Sequence, residues 1–465
     1  MDQRTIRAEL EEYLKRNGIT INQFSETSGV NSGTLSSIIN GNRPISMLQL
    51  DRITAGMGLT EGRFYDLYVD ECFNLPVLNW RRLRPLIYRS AELDKIDCIE
   101  RVVGMMMDNL SYATALFDTA EDLFKQGNRK AAALLYESVA ESEKYQHSER
   151  LALCQYRLFS IALCDDQEIN LRAAVQFESY VDRLDEVDQL DALKDLANTY
   201  NSLRRWDKVE QLAKDMEHKA KIQYKHRYED TKKIEIIKEP TIPLFAYISY
   251  SHVLCSAVYD ERKEYDKALQ YVSLYSEFSW VKEESQEALQ LVRKFKDWAE
   301  ANSYLYRLMK GDIKVLPEYV TYISQREEEI LPALFKILQA ANWYQFNVDD
   351  ILSHFTQEIV NYRDQLGNVG TYNPRVIEDR YTFFMAELAY YYLSKGKYEI
   401  GIKYILDGLE SSAKINSESS IIRCVGLFEQ FRHTASLEAQ REYRNLIREV
   451  QSRNEKKNGF IVGYV

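Results

Sequence analysis

The sequence lacks several features that define common protein classes. Its 465 residues include only eight prolines and eighteen glycines. No apolar run approaches the roughly 20 residues that a membrane-spanning helix needs, and the first residues, MDQRTIRAEL, are charged and amphipathic, unlike a signal peptide. Few turn residues, an ordinary apolar fraction and 33 tyrosines favour an all-α, cytoplasmic protein with no membrane partner.

Cysteine and catalytic motifs are also scarce. The six cysteines form no CxxC pair and show no metal-type spacing with the six histidines, so reduced, mostly buried thiols are favoured over disulfides or zinc. The sequence contains no HExxH, G-x-S-x-G, phosphate loop or Gly-rich dinucleotide turn. We therefore expect no enzyme, no catalytic or metal-binding residue and no cofactor, and we interpret the acidic pairs Asp165-Asp166 and Asp349-Asp350 as helix caps.

Positive charge is scarce near the N-terminus. The chain has a formal net charge of -11, and residues 1–68 hold seven Lys and Arg against eight Asp and Glu. A net negative chain does not bind nucleic acid nonspecifically. Any nucleic-acid contact must therefore come from a small, specific surface.

The spacing of apolar residues predicts five short helices in the first 70 residues. The expected caps and turns are Asn17-Gly18, Thr20, Gly29, Asn31, Gly41-Asn42, Ser46 and Glu61. The expected inward residues are Ile6, Leu10, Tyr13, Leu14, Phe24, Thr34 or Leu35, Ile38, Leu48, Leu50, Ile53, Phe64, Leu67 and Tyr68. These features predict a small helical domain over residues 1–70.

The stretch TINQFSETSGVNSGTLSSIINGNRPIS resembles the Cro/C1-type helix-turn-helix domain. It reproduces the Thr20 cap, the Phe24 core position, the Gly29-Val30 turn, the S-x-I core of the third helix and the Gly41 stop. The resemblance implies that the third helix enters the major groove of operator double-stranded DNA. The implied DNA-binding residues are Thr20, Asn31, Ser32, Gly33, Thr34, Ser36, Ser37, Asn40, Asn42 and Arg43.

Two alternatives stay open for this region. The small bundle could serve only as an interaction module whose polar third helix is solvated. If it binds DNA, hydroxyls, amides and backbone N–H groups must supply most phosphate contacts, and one copy binds weakly because few counterions are released. A homodimer or a second basic element would then be needed.

A candidate second basic element is NWRRLRPLIYR, residues 79–89, within a predicted linker helix over 71–100. Its four arginines could reach flanking phosphates. The favoured interpretation is a hinge or first-repeat surface whose arginines pair with the acidic body that follows the head, as junction charges usually do.

Five later segments share the layout of a helix, a short turn with Gly or a polar substitute, and a second helix. Their equivalent packing positions are Ala132, Val209, Ala268, Leu316 and Gly401, with weaker units around Ala173 and Ile351. The spacing resembles a degenerate tetratricopeptide array, whose period is about 34 residues. It implies a right-handed α-solenoid over 101–451 with about seven repeats and a terminal helix pair, an insertion over 223–243 and a tail over 452–465.

A solenoid of this kind has a concave groove that binds extended peptide. Asn198 and Asn201 lie three residues apart on one predicted helix face, and each amide can pair with both groups of a peptide backbone. The other expected groove residues are Lys194, Asp260, Asn302, Tyr304, Arg307, Asn342, Tyr344, Glu387 and Tyr390. The alternative is that these Asn side chains are merely exposed and the Tyr side chains pack in the core.

The combined organisation resembles the peptide-pheromone receptors of Gram-positive bacteria and their phages, called RRNPP, including the phage arbitrium receptors. The resemblance implies a homodimeric, quorum-sensing transcriptional regulator. A short linear signalling peptide in the groove would change dimer geometry and DNA affinity. The alternative is an adaptor whose repeats sequester a protein such as a response regulator and whose head serves dimerisation.

Overall fold

The computed structural model describes residues 5–73, 79–106, 110–146, 148–228, 238–365 and 374–461. These residues form helices and no β-strand, which confirms the prediction of an all-α chain. No described helix is both long and apolar enough to cross a bilayer. Of the sequence predictions, residue 4 of the first helix, 229–237 of the insertion and 462–465 of the tail lie outside the described residues.

The chain divides into two compact units, Met1–Ile161 and Ala162–Val465. The boundaries predicted near residues 70, 100 and 451 stay predictions. The helices of the first unit are α1 Ile6–Asn17, α2 Ile21–Ser28, α3 Ser32–Ile39, α4 Met47–Gly56, α5 Tyr65–Phe73, α6 Trp80–Glu92, α7 Ile96–Met106, α8 Ala113–Lys125, α9 Arg129–Ser142 and α10 Glu149–Ala162.

The predicted N-caps of α2, α3 and α4 are confirmed, but the fifth helix, expected from about Glu61, begins at Tyr65. Thr20 caps α2 in a capping box with Gln23, Asn31 caps α3, and Ser46 caps α4. Gly29 ends α2 with φ 66°, a left-handed conformation that glycine adopts without steric cost. The sequence therefore determines both ends of the α2–α3 turn locally.

The core of α1–α5 follows the predicted pattern except at Leu48, and Tyr13 and Leu67 are only half-buried. Phe24, Leu35 and Ile38 are buried, so Leu35 and not Thr34 faces inward. Leu48 was predicted to be buried but its side chain is 63% exposed. The inward face of α4 runs through Met47, Leu50, Ile53 and Thr54, because a helix that begins at Met47 turns position 48 about 100° away from that face.

The second unit contains the longer helices. They are α11 Gln167–Glu178, α12 Glu186–Ser202, α13 Trp206–Tyr228, α14 Leu244–Glu261, α15 Tyr265–Leu274, α16 Gln286–Met309, α17 Leu316–Ile323, α18 Glu327–Tyr344, α19 Asp349–His354, α20 Thr356–Gln365, α21 Pro374–Ser394, α22 Tyr398–Ile415, α23 Glu418–Phe431 and α24 Leu437–Ile461.

Helices pack as sequential pairs at the predicted repeat positions. The pairs are α8/α9, α12/α13, α14/α15, α16/α17 and α21/α22, and each second helix begins near its predicted packing position. The turn residue that adopts positive φ is, in chain order, Gly127, Arg204, Lys263, Gly311 and Gly396. Two of the five turns thus use a long cationic residue where the others use glycine.

Five helices of the second unit contact one another in a closed cycle. Helix α12 packs on α14, α14 on α16, α16 on α18, α18 on α21, and α21 packs back on α12. We call these five the inner ring. The main core cluster includes Leu308, Leu334 and Leu338, all fully buried. Four helices of the inner ring, α12, α14, α16 and α18, line the cavity described next.

Candidate functional site

A cavity of about 360 Å³ lies between helices of the inner ring. Its lining comes from α12, α14, α16 and α18, with single residues from α13 and α17, Arg204 from the α12–α13 turn and Ile242 from the segment before α14. The residues contributed by α14 recur every three or four positions, which places them on one helix face; they are Ala246, Tyr250, Val253, Leu254, Ala257, Asp260 and Glu261.

Helix α12 supplies an amide-bearing wall. Lys194, Asn198 and Asn201 all line the cavity and are half-buried. The Tyr250 hydroxyl donates a hydrogen bond to the Asn198 Oδ1 atom. This bond fixes the orientation of the Asn198 carboxamide and leaves its N–H groups able to donate to a ligand. Two carboxamides one helical turn apart can pair with the N–H and C=O groups of an extended backbone.

Helix α16 and its neighbours supply an aromatic and aliphatic wall. Phe295 packs edge-to-face on Trp298, with ring centroids 5.4 Å apart. Leu291, Leu305 and Phe335 extend the same lining. An apolar wall of this kind accepts ligand side chains through burial of apolar area.

One end of the cavity carries opposite charges. The Lys336 Nζ atom lies 2.5 Å from Asp260 Oδ2 and 3.8 Å from Glu261 Oε1. The Arg204 guanidinium donates to Glu261 Oε2 at 2.7 Å. The side chains of Lys336 and Asp260 are only 12% and 7% exposed, so each needs the other as a counter-ion.

A buried carboxylate lies behind the α12 wall. Burial by itself would raise the pKa of Asp191, but Lys194 and the hydroxyls of Thr241 and Tyr247 lower it. Lys194 donates to Asp191 Oδ1 at 3.0 Å, and the Tyr247 hydroxyl donates to the same atom at 2.7 Å. Asp191 therefore stays ionised and fixes the position of Lys194 at the cavity.

The structure brings five of the eleven residues predicted for peptide binding to this cavity: Lys194, Asn198, Asn201, Asp260 and Asn302. The Asn302 amide donates to the Tyr275 hydroxyl at 2.8 Å. Asn342 and Glu387 form a separate polar cluster, in which the Asn342 amide donates to Glu387 Oε2 at 2.7 Å and Arg423 pairs with Glu387.

The remaining four predicted residues do not line the cavity. Tyr304 stacks on Tyr319, and Arg307 pairs with Asp312 at 2.8 Å. The Tyr344 hydroxyl donates to the Met309 carbonyl, and Tyr390 is exposed on α21. Their assignment to a groove rested on a repeat phase that is weakest in these diverged units.

Sequence reasoning missed most of the charged and aromatic lining. The residues that were not predicted include Arg204, Trp206, Tyr250, Glu261, Phe295, Trp298, Phe335 and Lys336. One signal was present: Tyr250, Ala257 and Glu261 share the face of Asp260 at helical spacing. The partners from α16 and α18 are distant in sequence, so no local pattern connects them.

In the first unit, the residues predicted for DNA binding surround the N-terminal half and the ends of α3. Thr20, Asn31, Gly33, Asn40, Asn42 and Arg43 are exposed, and Ser32, Thr34, Ser36 and Ser37 are half-exposed. Asn31 Oδ1 accepts hydrogen bonds from the Gly33 and Thr34 N–H groups, and the Ser37 hydroxyl donates to the Gly33 carbonyl at 2.8 Å. The turn before α3 is held by Arg52, which donates to the Gly29 carbonyl.

Three of the four arginines in NWRRLRPLIYR are engaged within the first unit. Arg82 donates to the Ile45 carbonyl at 3.1 Å, Arg84 to Asp122 at 3.1 Å, and Arg89 to Asp51 at 3.1 Å. Arg81 is exposed. The pairing with the body that was favoured from sequence is present for Arg84, whereas Arg89 pairs with Asp51 of the head. Neither charge is available to a phosphate without breaking an ion pair.

The six cysteines are free thiols. All six cysteines lie in the described ranges and form no disulfide. Burial raises the pKa of Cys154, Cys255 and Cys424 to about 12, which makes these thiols unreactive. Within the part of the chain that the structure describes, no group of three His, Cys, Asp or Glu side chains could hold a metal ion.

No protein-family model matches the chain, and a search of curated proteins finds no match.

Proposed function

We propose that the chain is a transcriptional regulator that binds operator DNA through α3 and a short linear peptide in the cavity of the inner ring. In this proposal α1–α5 form a Cro/C1-type helix-turn-helix domain, and the later helix pairs form a tetratricopeptide-like solenoid. The observation that carries the proposal is the convergence of Lys194, Asn198 and Asn201 with an apolar wall on one enclosed cavity.

The cavity suits a peptide more than a compact small molecule. Its lining on α14 extends from Ala246 to Asp260, which at 1.5 Å per residue is about 21 Å. An extended peptide rises about 3.4 Å per residue, so about six residues span that length. The α12 amides would bind the peptide backbone, and the α16 wall would accept its apolar side chains.

The α3 surface supports DNA binding of a particular kind. The first turns of α3 present the short polar side chains of Ser32, Thr34 and Ser36 at the positive end of a helix dipole, which favours a phosphate. Arg43 is the only Lys or Arg in residues 25–44. Each head would therefore bind weakly, and a homodimer on a two-fold site would supply the missing affinity.

Ligand control of DNA binding would act through dimer geometry. Two heads fit an operator only when their separation matches half-sites about one or more helical turns apart. A peptide that binds one arrangement of the solenoid better than another shifts this equilibrium, with a typical coupling of about 1–3 kcal/mol.

DNA binding is tested by selecting sequences from a random double-stranded pool with the full chain and then measuring affinity for the selected site. The double variant Ser36→Glu with Arg43→Glu should abolish selective binding, because it places negative charge on the surface that faces phosphates. Glu137→Gln, an exposed change on α9, is the control. Selective binding retained by the double variant would contradict this role of α3, as would no selection by the unmodified chain.

The peptide site is tested with a pooled library of synthetic hexapeptides, with bound members identified by mass spectrometry. Asn198→Ala with Asn201→Ala should remove binding, while DNA affinity without peptide stays unchanged. A matched control is Asn342→Ala, an amide of the same chemistry outside the cavity. If a library member binds both variants equally, the amide wall is not its site. If no library member binds and the chain instead binds a whole protein, the alternative of an adaptor that sequesters a protein partner is favoured.

A further inference from the structure

The inner ring is closed by contacts between its first and last members. Helices α12 and α21 pack together, and the Asn416 amide donates to Asp166 Oδ1 at 3.3 Å, linking the end of α22 to the cap of α11. These contacts join segments separated by some 200 residues of chain. Closure of the ring is therefore a tertiary property, separate from the packing of sequential helix pairs.

Arg204 lies where the ring closes and also lines the cavity. Its guanidinium donates to Glu261 at 2.7 Å and lies 4.1 Å from the centroid of the Phe383 ring on α21. It also lies 5.4 Å from the Trp206 ring. One side chain thus connects α12, the end of α14 and α21.

The backbone at Arg204 adopts a conformation that its side chain disfavours. Its φ is 54°, in the left-handed region, at a turn position where three of the five helix pairs have glycine. A non-glycine residue there costs about 1 kcal/mol. Lys263 occupies the equivalent turn of the next pair, with φ 59°, and its Nζ lies 4.4 Å from the Trp343 ring centroid. At both turns the residue with the unfavourable positive φ also places its cationic side chain on an aromatic ring.

Phe383 is buried and has a second cation on its ring. The Arg423 guanidinium lies 5.6 Å from the Phe383 centroid and pairs with Glu387. Arg423 and Glu387 belong to α23 and α21, which pack directly on each other. Arg423 therefore stabilises the α21 side of the contact, while Arg204 is the cation that reaches Phe383 from the turn after α12.

We propose that Arg204 couples occupancy of the cavity to closure of the inner ring. Glu261 is the cavity-side partner of Arg204, and Phe383 is its ring-closing partner. A ligand group that competes for either Arg204 or Glu261 changes the position of the guanidinium over Phe383 and so shifts the equilibrium between closed and open rings. This inference deepens the proposed function, since it names how the same cavity is regulated.

The test measures ring closure directly in the full chain without peptide or DNA. Spin labels at Gln176→Cys on α11 and Ile422→Cys on α23, both exposed positions, report the distance across the closure by pulsed electron paramagnetic resonance. Half-buried Cys164 is replaced by Ser, and the other cysteines are buried and stay unlabelled. Dilution with unlabelled chain removes distances between copies.

The informative variant is Arg204→Gly. It relieves the unfavourable φ and leaves the turn able to fold, so any opening reflects the missing side chain. We expect the population with the longer distance to rise about tenfold, the size of effect that loss of a partly buried cation–aromatic contact produces. Lys263→Gly is the matched control: it removes the equivalent cation from a turn whose aromatic partner, Trp343, lies on α18 and not on α21, and the distance should stay unchanged.

A second comparison tests the coupling. Glu261→Gln removes the cavity-side partner and should also raise the open population, but it should have no further effect when combined with Arg204→Gly. An unchanged distance distribution in Arg204→Gly would overturn the inference, as would an effect of Glu261→Gln that is the same with and without Arg204. Because no ligand is used, a failure here is distinct from a failure to find a bound peptide or operator.

Discussion

The two candidate binding regions differ in where they place polar groups. On α3 the polar side chains are exposed, mostly uncharged, and held by caps within a few residues of themselves. In the cavity the polar groups are enclosed, include two cations and two carboxylates in one network, and come from helices far apart in sequence. Exposed neutral groups cost little to leave unpaired, whereas enclosed charges must be paired in the unliganded protein.

This difference predicts how each region responds to substitution. Changes to exposed α3 side chains that are not caps should leave folding intact, so effects there should appear in binding. Changes to the enclosed charges should appear first in stability. The predictions below test this contrast in order of decreasing effect.

The largest effect is expected from Phe24→Ala in the first unit. Phe24 is 1% exposed, and removal of a buried aromatic side chain costs about 3–5 kcal/mol. Differential scanning calorimetry should show a lower transition for the first unit and an unchanged transition for the second. The control is Leu48→Ala, which alters an exposed side chain and should change neither. A single transition that shifts as a whole would show that the two units unfold together.

The next effect is expected from Lys336→Met in the second unit. The change leaves Asp260 buried beside Glu261 without its lysine counter-ion, which should lower the free energy of unfolding by about 3 kcal/mol. Urea unfolding followed by circular dichroism measures it. Lys336→Met combined with Asp260→Asn should recover part of the loss, because it removes the uncompensated charge. Equal stability of the single and double variants would contradict the prediction that Asp260 needs Lys336 as its counter-ion.

A smaller effect is expected from Asn31→Ala on α3. Two backbone N–H groups lose their acceptor, and such a cap contributes about 1 kcal/mol. Thermal unfolding of the first unit measures the change. Asn42→Ala removes another exposed residue predicted to bind DNA, but one that does not cap a helix. It should leave stability unchanged, so a loss of stability in Asn31→Ala alone reports the capping role of Asn31.

The smallest effect is expected from Glu217→Gln and depends on pH. A hydrogen bond from His252 is the main cause that lowers the pKa of Glu217 to about 2, below its ordinary value of 4.5. The ionised carboxylate therefore stabilises the fold above pH 4.5, and this contribution is lost as pH falls towards 2. The difference in free energy of unfolding between the two proteins should be about 1 kcal/mol or less at pH 7 and should shrink between pH 5 and 3. A difference independent of pH would indicate lost packing instead.

The sequence predicts the first helices well because their signals are local. Thr20, Asn31 and Ser46 form caps with residues two or three positions away, and Gly29 adopts the left-handed conformation that its turn requires. Leu48 was the exception. Its burial depends on the residue at which α4 begins, which decides whether Met47 or Leu48 faces the core, and both residues are apolar.

The cavity is predicted only in part, and the reason is its non-local construction. Asn198 and Asn201 were identified from their spacing on one helix, and they do share a wall. Arg204 was not identified, because its role follows from a turn conformation and from Phe383, which lies 179 positions later in the chain. Asn342 and Glu387 were identified as polar groups on inner-ring helices, but they pair with each other across α18 and α21.

Closure of the inner ring also has a kinetic consequence. If the ring must open before a peptide enters, the observed rate of capture rises with peptide concentration only until opening becomes the slow step, and then reaches a plateau. Release passes through the same step, so a captured peptide leaves slowly after the external supply falls. The chain would then respond to the duration of a signal as well as to its concentration.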